Sequence, residues 1–449
     1  MRRRDIHSLL FDMICLASGI LVLLGFLSAG PVGRASSAIF GTDTATQSNP
    51  FNLICLCLGM GLFVCYVCIV LSLHGWEKYG LHFALTHLRL YHLIRKALLE
   101  GDKFSVGEEN GLVTLPKIKI DLSKDLRCGK ITIENRVKYA DPLEKLDLSC
   151  ALGKFLVTAK YLTNDRNAWI FEIENASFEK RITYHSCDEL YQYCRHLMYQ
   201  LAVDITTTIP ISSSLICGST GSGKSYAVYG LILQLLSKTF PNGESAHLYF
   251  ADPKMSGLFT LGRTIAPEQT GCTIREIDAL TESFYSAMME RREFMLDKLA
   301  EKGIDCDYTD FGLPPYILIL EEYSSFASLL TTADKGTRDR VNALIKNFVQ
   351  MGRQLGFFMW IIMQKSDATT LPTDVRTNLP FKVVLGNATD TTYLTAFELS
   401  EKEIPKQRFD TGEGLYSING SPLRPCTFPE LDFDILEAAN KVALSPPAM

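Results

Sequence analysis

One eight-residue stretch of this sequence has the composition and spacing of a phosphate-binding loop. It fits the pattern G-x-x-x-x-G-K-S without a mismatch and consists of Gly218, Ser219, Thr220, Gly221, Ser222, Gly223, Lys224 and Ser225. Glycines let successive backbone N–H groups close around phosphate oxygens, and the partial positive charge at the start of a helix attracts anions. In this pattern the lysine reaches the β- and γ-phosphates, and the hydroxyl of the last residue binds magnesium. The stretch therefore predicts binding of ATP with Mg²⁺.

Two acidic residues, Glu321 and Glu322, follow the apolar run Tyr316 to Leu320. In a nucleotide-binding sheet, such a strand delivers carboxylates beside the phosphate loop. Glu321 is expected to hold magnesium through its water, so that Ser225 and Glu321 are the predicted metal residues, and Glu322 is expected to polarise the attacking water. The alternative interpretation is an ordinary solvated strand end.

A glutamine closes the apolar run Phe357 to Met363. A polar side chain at the carboxyl end of a neighbouring strand faces the bound nucleotide, so Gln364 is expected to sense the γ-phosphate. An ordinary polar strand end is the alternative here too.

A locally basic stretch runs from Lys335 to Lys382, with eight Lys or Arg and three acids. Its candidates for contact with the phosphates of DNA, or with a neighbouring subunit's nucleotide, are Arg338, Arg340, Lys346, Arg353, Lys365 and Arg376. We expect an arginine to complete the neighbour's site, with Arg353 ranked first. A solvated helix face explains the same charges equally well.

The elements that must position these residues alternate between strand-like and helical patterns from Glu189 to Leu385. This alternation is typical of an α/β fold, in which helices cover a parallel sheet. The predicted strands are Leu215–Cys217, His247–Ala251, Tyr316–Leu320, Phe357–Met363 and Lys382–Leu385. Since a strand enters the glycine-rich stretch and a helix leaves it, a phosphate loop is favoured over a Gly/Ser linker.

Short alternating runs between Val113 and Asn175 predict half-buried strands in a small α+β domain. Before them, His82 to Leu99 is a basic amphipathic segment, expected to be a helix along the membrane or leading into the next domain.

Two apolar segments near the N-terminus, Met13 to Val32 and Phe51 to Leu73, have the ~20 residues that a bilayer requires. Basic residues precede the first and follow the second, while the loop between them has Arg34 as its only basic residue. The positive-inside rule then places both termini and the phosphate loop in the cytoplasm of a two-span protein of the bacterial cell membrane. A cleaved signal peptide is the alternative for the first segment.

Composition sets broad limits on the function of this chain of 449 residues. A net charge of −5 excludes a general basic coat, so any contact with nucleic acid must be local. The 13 cysteines are scattered, which indicates reduced thiols, and Cys65 and Cys68 lie in an apolar run without a second ligand pair.

The patterns together predict five segments along the chain. They are a membrane anchor with two transmembrane helices (1–75), a linker helix (76–105), the small α+β domain (106–188), the α/β ATPase domain (189–430) and a C-terminal tail (431–449).

The ordered motifs of the α/β region resemble those of the FtsK/SpoIIIE family of DNA-pumping ATPases. They are the stretch Leu215–Ser225, then Asp252-Pro253-Lys254, the strand ending at Glu322, Met351–Gly356 through Gln364, and Asn378-Leu379-Pro380. The resemblance implies a RecA-like P-loop NTPase motor, usually a homo-hexameric ring that threads double-stranded DNA and converts ATP hydrolysis into translocation. One departure is that the family usually has Asp where this chain has Glu321, which bears on magnesium geometry and hydrolysis rate.

The compact layout is similar to that of TcpA-like coupling proteins of conjugative elements in Gram-positive bacteria. This similarity implies a membrane-anchored DNA translocase for conjugation, working with a relaxase and transfer-channel proteins. The alternatives are a translocase for chromosome or plasmid partition, a protein-export ATPase of the type VII kind, and a nucleotide-binding scaffold that hydrolyses ATP poorly.

Overall fold

The computed structural model of the chain describes residues 17–20, 50–100, 115–303, 305–366, 370–399 and 407–444. The chain divides into two compact units, with the boundary between Phe178 and Glu179. The sequence placed this boundary before Glu189, so the second unit begins one short strand and part of a helix earlier than expected.

The first unit combines helices with a four-stranded antiparallel sheet of order β1-β2-β4-β3. Its elements are α1 (Pro50–Leu73), α2 (Trp76–Tyr79), α3 (Leu81–Glu100), β1 (Ile118–Leu122), β2 (Cys128–Glu134), α4 (Ala140–Glu144), β3 (Phe155–Leu162) and β4 (Ala168–Asn175). Leu90, Ile94 and Leu98 recur at helical spacing on α3 and are buried in the same core as Ile131 and Phe171 of the sheet. A small α+β unit is therefore present, but the helix predicted as a separate linker over residues 76–105 is wrong in its role, because α3 belongs to the core of this unit.

The predicted membrane anchor is only partly within the described residues. Of the first predicted span only residues 17–20 are described, whereas α1 coincides with the second and has described side chains at Ile54 and from Cys57 onward. Among the described residues, none of the helices is long and apolar enough to cross a membrane. The rest of the first predicted span, and several side chains of the second, lie outside the described residues.

The second unit is built on an eight-stranded sheet of order β10-β9-β11-β12-β8-β13-β14-β15. The strands from β10 to β13 are parallel, and β14 and β15 continue the sheet in antiparallel pairing. The strands of this unit are β5 (Thr183–Tyr184), β6 (Gln200–Ala202), β7 (Thr208–Pro210), β8 (Ser214–Gly218), β9 (His247–Ala251), β10 (Thr270–Gly271), β11 (Tyr316–Leu320), β12 (Phe357–Met363), β13 (Phe381–Leu385), β14 (Glu413–Ile418), β15 (Arg424–Thr427) and β16 (Glu430–Leu431). All five strands predicted for the α/β region are confirmed.

Helices cover both faces of this sheet, which explains why its central strands are apolar throughout. The helices are α5 (Cys187–Cys194), α6 (Lys224–Leu236), α7 (Gly257–Ile265), α8 (Ile274–Lys302), α9 (Tyr323–Thr331), α10 (Lys335–Leu355), α11 (Thr373–Arg376), α12 (Asp390–Phe397) and α13 (Ile435–Leu444). Leu318 and Leu320 of β11 share a core with α8 and α10, while Ile317 and Ile319 share the opposite core with α6 and α7.

The last described residues do not form the predicted tail. β16 pairs in parallel with β5, and α13 contacts α7 and α6. Ala438 and Ala439 are buried in these contacts, so the segment adds to the core of the second unit. Sequence analysis missed this because a two-residue strand carries no periodic signal.

The junction between α10 and β12 depends on a glycine, and this dependence is testable. A Cβ on Gly352 would lie 2.0 Å from the backbone oxygen of Phe357, whereas one on Gly230 of α6 would meet nothing closer than Leu431 Cδ1 at 3.8 Å. We expect Gly352→Ala to lower the free energy of unfolding by ~2 kcal/mol or more through overpacking. Gly230→Ala, the matched helical control, should leave it unchanged or raise it by up to ~1 kcal/mol.

Denaturant unfolding of the two purified variants measures this difference. Equal stability of Gly352→Ala and wild type would show that the junction tolerates a side chain there.

Candidate nucleotide-binding site

The glycine-rich stretch forms the turn from β8 into α6, at the carboxyl end of a central strand. β8 ends at Gly218 and α6 begins at Lys224. Gly221 and Gly223 have φ values of +83° and +86°, a left-handed conformation that glycine adopts without strain. Between them and the strand, the exposed residues Ser219 and Thr220 leave the turn open to solvent. The turn is therefore accessible to an anion at the start of a thirteen-residue helix.

The inside of this turn has no room for side chains at its ends. A Cβ on Gly218 would lie 2.4 Å from Ser222 Oγ, and that buried hydroxyl has no hydrogen-bond partner among the described residues. Lys224, on the first turn of α6, is 8% exposed, while Ser225 next to it is exposed. The glycines, lysine and serine fit the phosphates of a nucleoside triphosphate, with the serine hydroxyl accessible to a metal ion.

Thr411 and Gly412, far along the chain, hydrogen-bond to the backbone of the turn; we call this two-residue segment the brace. Gly412 N donates a hydrogen bond to Ser222 O at 2.8 Å, and Thr411 Oγ1 donates one to Gly221 O at 3.2 Å. Arg181 Nη2 in turn donates to Thr411 O at 2.5 Å. Sequence analysis missed this brace, and no motif in the sequence marks it.

Glu321 lies against the phosphate-loop lysine. Lys224 Nζ is 3.6 Å from Glu321 Oε1, and both side chains are largely buried. Burial raises the pKa of the Glu321 carboxyl; the charge of Lys224 opposes that rise, and the nearby Asp252 and Glu322 add to it. A buried carboxylate with one cationic partner gains from a second cation, which suits a magnesium residue.

Glu322 adopts an unusual backbone conformation at the start of α9. Its φ is +48°, in the left-handed region that disfavours side chains, and its side chain is 7% exposed. Ser324 Oγ donates to Oε1 at 2.7 Å, and Lys254 Nζ lies 3.7 Å from Oε2. The two predicted acids therefore lie side by side, each with a lysine.

The loop after β9 supplies a third carboxylate. Asp252 is fully buried and accepts hydrogen bonds from Lys254 N, Ser256 N, Ser256 Oγ and Phe259 N, at 2.6 to 3.2 Å. Sequence analysis used Asp252-Pro253-Lys254 only within the family resemblance. The structure adds Lys254 to the residues around the acids.

Gln364 lies at the same edge of the sheet as the phosphate loop. It follows β12, whose Met363 is paired in parallel register with Cys217 of β8. Its side chain is exposed. The structure thus brings Gln364 beside the end of β8, while its role as a γ-phosphate sensor stays a prediction.

Arg353 lies at the opposite edge of the sheet. It is exposed on the last turn of α10, just before β12 begins, and lines a cavity of about 870 Å³ together with Ser212 and Pro380. The seven residues of β12 separate the two edges by ~20 Å at ~3.3 Å per residue. Arg353 is therefore not brought together with the phosphate loop of its own chain.

Several other cations of the basic stretch have acidic partners inside the chain. Arg340 pairs with Asp278 and Glu282 of α8. Lys346 pairs with Asp374 at 2.7 Å, and Arg376 with Glu398 at 3.4 Å. These pairs favour a structural role for part of the stretch. Arg338 is near only its neighbour Asp339 in the described ion pairs, at 4.0 Å, and Lys365 is exposed.

Residues 200–305 match the FtsK/SpoIIIE family. The chain is 29% identical over 204 residues to the Ftsk domain-containing protein YdcQ of Bacillus subtilis, an alignment that covers 45% of this chain and 40% of YdcQ. It is 24% identical over 332 residues to the DNA translocase FtsK of Mycobacterium leprae, covering 69% of this chain and 37% of that protein. The chain thus spans well under two thirds of the length of these relatives.

Among solved structures, the pCW3 conjugation coupling protein TcpA, in its monomer form with ATPγS, is 18% identical with a TM-score of 0.46. That similarity covers 78% of this chain and 98% of the TcpA chain.

The resemblance predicted from the motifs is confirmed over residues 200–305, a range that contains the phosphate loop from Gly218 to Ser225. Glu321, Glu322 and Gln364 lie beyond that range.

The phosphate loop yields a prediction with a matched control. Gly223 and Gly243 have nearly equal φ values, +86° and +87°, but a Cβ on Gly223 would lie 2.7 Å from Gly412 N, whereas one on Gly243 meets nothing within 4 Å. Each substitution by alanine should cost ~1 kcal/mol of stability from backbone strain. Only Gly223→Ala should also reduce binding of a fluorescent ATP analogue, by ~100-fold or more, because the clash with the brace deforms the loop. If Gly223→Ala bound the ATP analogue as tightly as wild type, the contact with Gly412 would not be needed to shape the phosphate loop.

Proposed function

We propose that this chain is an ATP hydrolase that couples hydrolysis to the translocation of double-stranded DNA. The observation that supports this most strongly is a complete phosphate loop whose lysine lies 3.6 Å from the first of two adjacent acids, in an FtsK/SpoIIIE family domain. Relatives of this domain carry the name DNA translocase FtsK.

In this proposal, each residue of the site has one role. The backbone N–H groups from Gly218 to Gly223 hold the phosphates, and Lys224 exchanges its contact with Glu321 for the β- and γ-phosphate oxygens. Ser225 and Glu321 hold Mg²⁺, which supplies positive charge to the phosphates. Glu322 polarises the attacking water and Gln364 senses the γ-phosphate. Glu321 is one methylene longer than the family's usual Asp, yet its carboxylate lies 3.6 Å from the ammonium of Lys224. This contact supports a working site over a scaffold.

Arg353 acts, in this proposal, on the nucleotide of a neighbouring subunit. Its position at the edge opposite its own phosphate loop supports action in trans, since it is too far to reach its own phosphates. A planar guanidinium stabilises the charge that develops on a transferred phosphoryl group. The arrangement requires an oligomer, and we propose a homo-hexamer.

We further propose that the chain is a coupling protein for conjugative DNA transfer, anchored at the bacterial cell membrane and working with a relaxase and channel proteins. The charge pattern around the two N-terminal apolar segments supports two spans with both termini and the ATPase domain in the cytoplasm. Exposed apolar side chains on α1, among them Leu58, Phe63 and Ile69, are consistent with a lipid environment.

ATP hydrolysis by the purified protein, with and without double-stranded DNA, tests the proposed function. We expect DNA to raise the rate and Lys224→Ala to abolish it, because the lysine charge holds the β- and γ-phosphates. Membrane insertion of this variant should be unchanged. Stimulation by a secreted polypeptide but not by DNA would favour protein export, and equal rates for wild type and Lys224→Ala would contradict an ATPase.

A further inference from the structure

Two strained residues follow neighbouring strands at the nucleotide edge of the sheet. Met255, in the loop after β9, has a φ of +52°, and Glu322, directly after the end of β11, has a φ of +48°. The ends of these strands are paired in parallel register, Ala251 with Leu320. Left-handed backbone at residues other than glycine is unfavourable and persists only where the surroundings enforce it. Both loops therefore carry backbone strain that their surroundings hold in place.

The loop after β9 is held by Asp252. This fully buried carboxylate accepts four hydrogen bonds, and three of the donors are backbone N–H groups between Lys254 and Phe259. Because Lys254 N is one of these donors, the start of the Lys254 side chain is fixed. From this held backbone the Lys254 side chain extends to the loop after β11, where its ammonium lies 3.7 Å from Glu322 Oε2.

The two oxygens of Glu322 are engaged by two different side chains. Ser324 donates to Oε1 at 2.7 Å, and Lys254 Nζ lies 3.7 Å from Oε2. The Glu322 side chain is 7% exposed while that of Lys254 is 49% exposed, so the lysine reaches in from the solvent side. Ser324 thus holds one oxygen by a hydrogen bond, and the ammonium of Lys254 attracts the other within ion-pair distance.

Charge balance in this cluster favours the same arrangement. Asp252, Glu321 and Glu322 approach one another, and like charges at short range repel. Lys224 forms an ion pair with Glu321, and Lys254 forms one with Glu322. When Lys224 turns to the phosphates of ATP, Lys254 still offsets the charge of Glu322.

We propose that Lys254 is a positioning residue for ATP hydrolysis, which holds the Glu322 carboxylate in the orientation that polarises the attacking water. The inference rests on the proposed ATP-hydrolase function. Lys254 acts through Glu322 rather than on the nucleotide, so its loss lowers turnover and leaves nucleotide binding intact.

Steady-state ATPase kinetics of the full-length protein test this role. Lys254→Met should lower kcat by ~10- to 100-fold with KM for ATP within ~2-fold of wild type, because a misplaced carboxylate loses rate without losing binding. Lys254→Arg keeps the charge and should restore most of the rate. Lys441→Met is the matched control: Lys441 also pairs with an acid, Asp188 at 3.2 Å, but on an exposed surface away from the site, so its kcat should equal that of wild type.

A double-mutant cycle separates action through Glu322 from direct action. Glu322→Gln alone should still bind ATP and turn over slowly, and adding Lys254→Met should change the remaining rate by less than ~2-fold. If the double variant lost rate by the product of the two single-variant factors, the inference would be overturned. Wild-type kinetics in Lys254→Met would overturn it as well. A rise in KM with unchanged kcat would instead assign Lys254 to the phosphates.

Failure of this inference is distinguishable from failure of the proposed function. If wild type hydrolyses ATP and Lys224→Ala does not, the proposed ATP-hydrolase activity stands whatever Lys254→Met does. Equal unfolding temperatures of Lys254→Met and wild type exclude loss of fold as the cause of a low kcat.

Discussion

The ion pair between Lys224 and Glu321 joins the two halves of the site, and the rest of the fold is arranged to produce it. Lys224 comes from the helix after β8 and Glu321 from the end of β11, with β12 between the two strands. The carboxyl ends of parallel strands meet at one edge of a sheet, so residues nearly a hundred positions apart converge there. The Lys224 and Glu321 side chains are largely buried at this edge, where their charges interact more strongly than in water.

Because the Lys224–Glu321 ion pair is largely buried, a ligand that approaches Lys224 must compete with Glu321 for it. In the structure, the phosphate-loop lysine pairs with Glu321, a carboxylate whose pKa is raised by burial, so a triphosphate would have to replace this ion pair to reach the lysine. Asp252 ties down the loop after β9 by four hydrogen bonds, and Ser324 donates a hydrogen bond to Glu322. The brace from Thr411 and Gly412 likewise holds the phosphate loop from behind. The site is therefore preorganised before nucleotide arrives, which lowers the cost of ordering it during the reaction.

Sequence reasoning succeeded where a signal is local and strong. The five central strands were predicted because helices bury both of their faces, which leaves uninterrupted apolar runs such as Phe357–Met363. The phosphate loop and the two acids are likewise contiguous motifs. By contrast, the brace joins Thr411 to Gly221 across 190 residues, and no pattern in either segment refers to the other. β14 and β15 were not predicted, because they lie beyond Leu385, where the alternation of strand-like and helical patterns ends. Arg353 precedes β12, and β12 runs parallel to β8, so Arg353 lies at the end of the sheet away from its own phosphate loop. The sequence alone does not show which strand β12 pairs with.

The central claim, that ATP hydrolysis at this site moves double-stranded DNA, is tested most directly by strand displacement. A duplex carrying a bound third strand reports movement, because a protein that translocates along the duplex strips the third strand off. We expect displacement by the wild-type protein with ATP and Mg²⁺, and none with ATPγS or with Lys224→Ala. A wild-type protein that hydrolyses ATP in the presence of the duplex but leaves the third strand bound would contradict it.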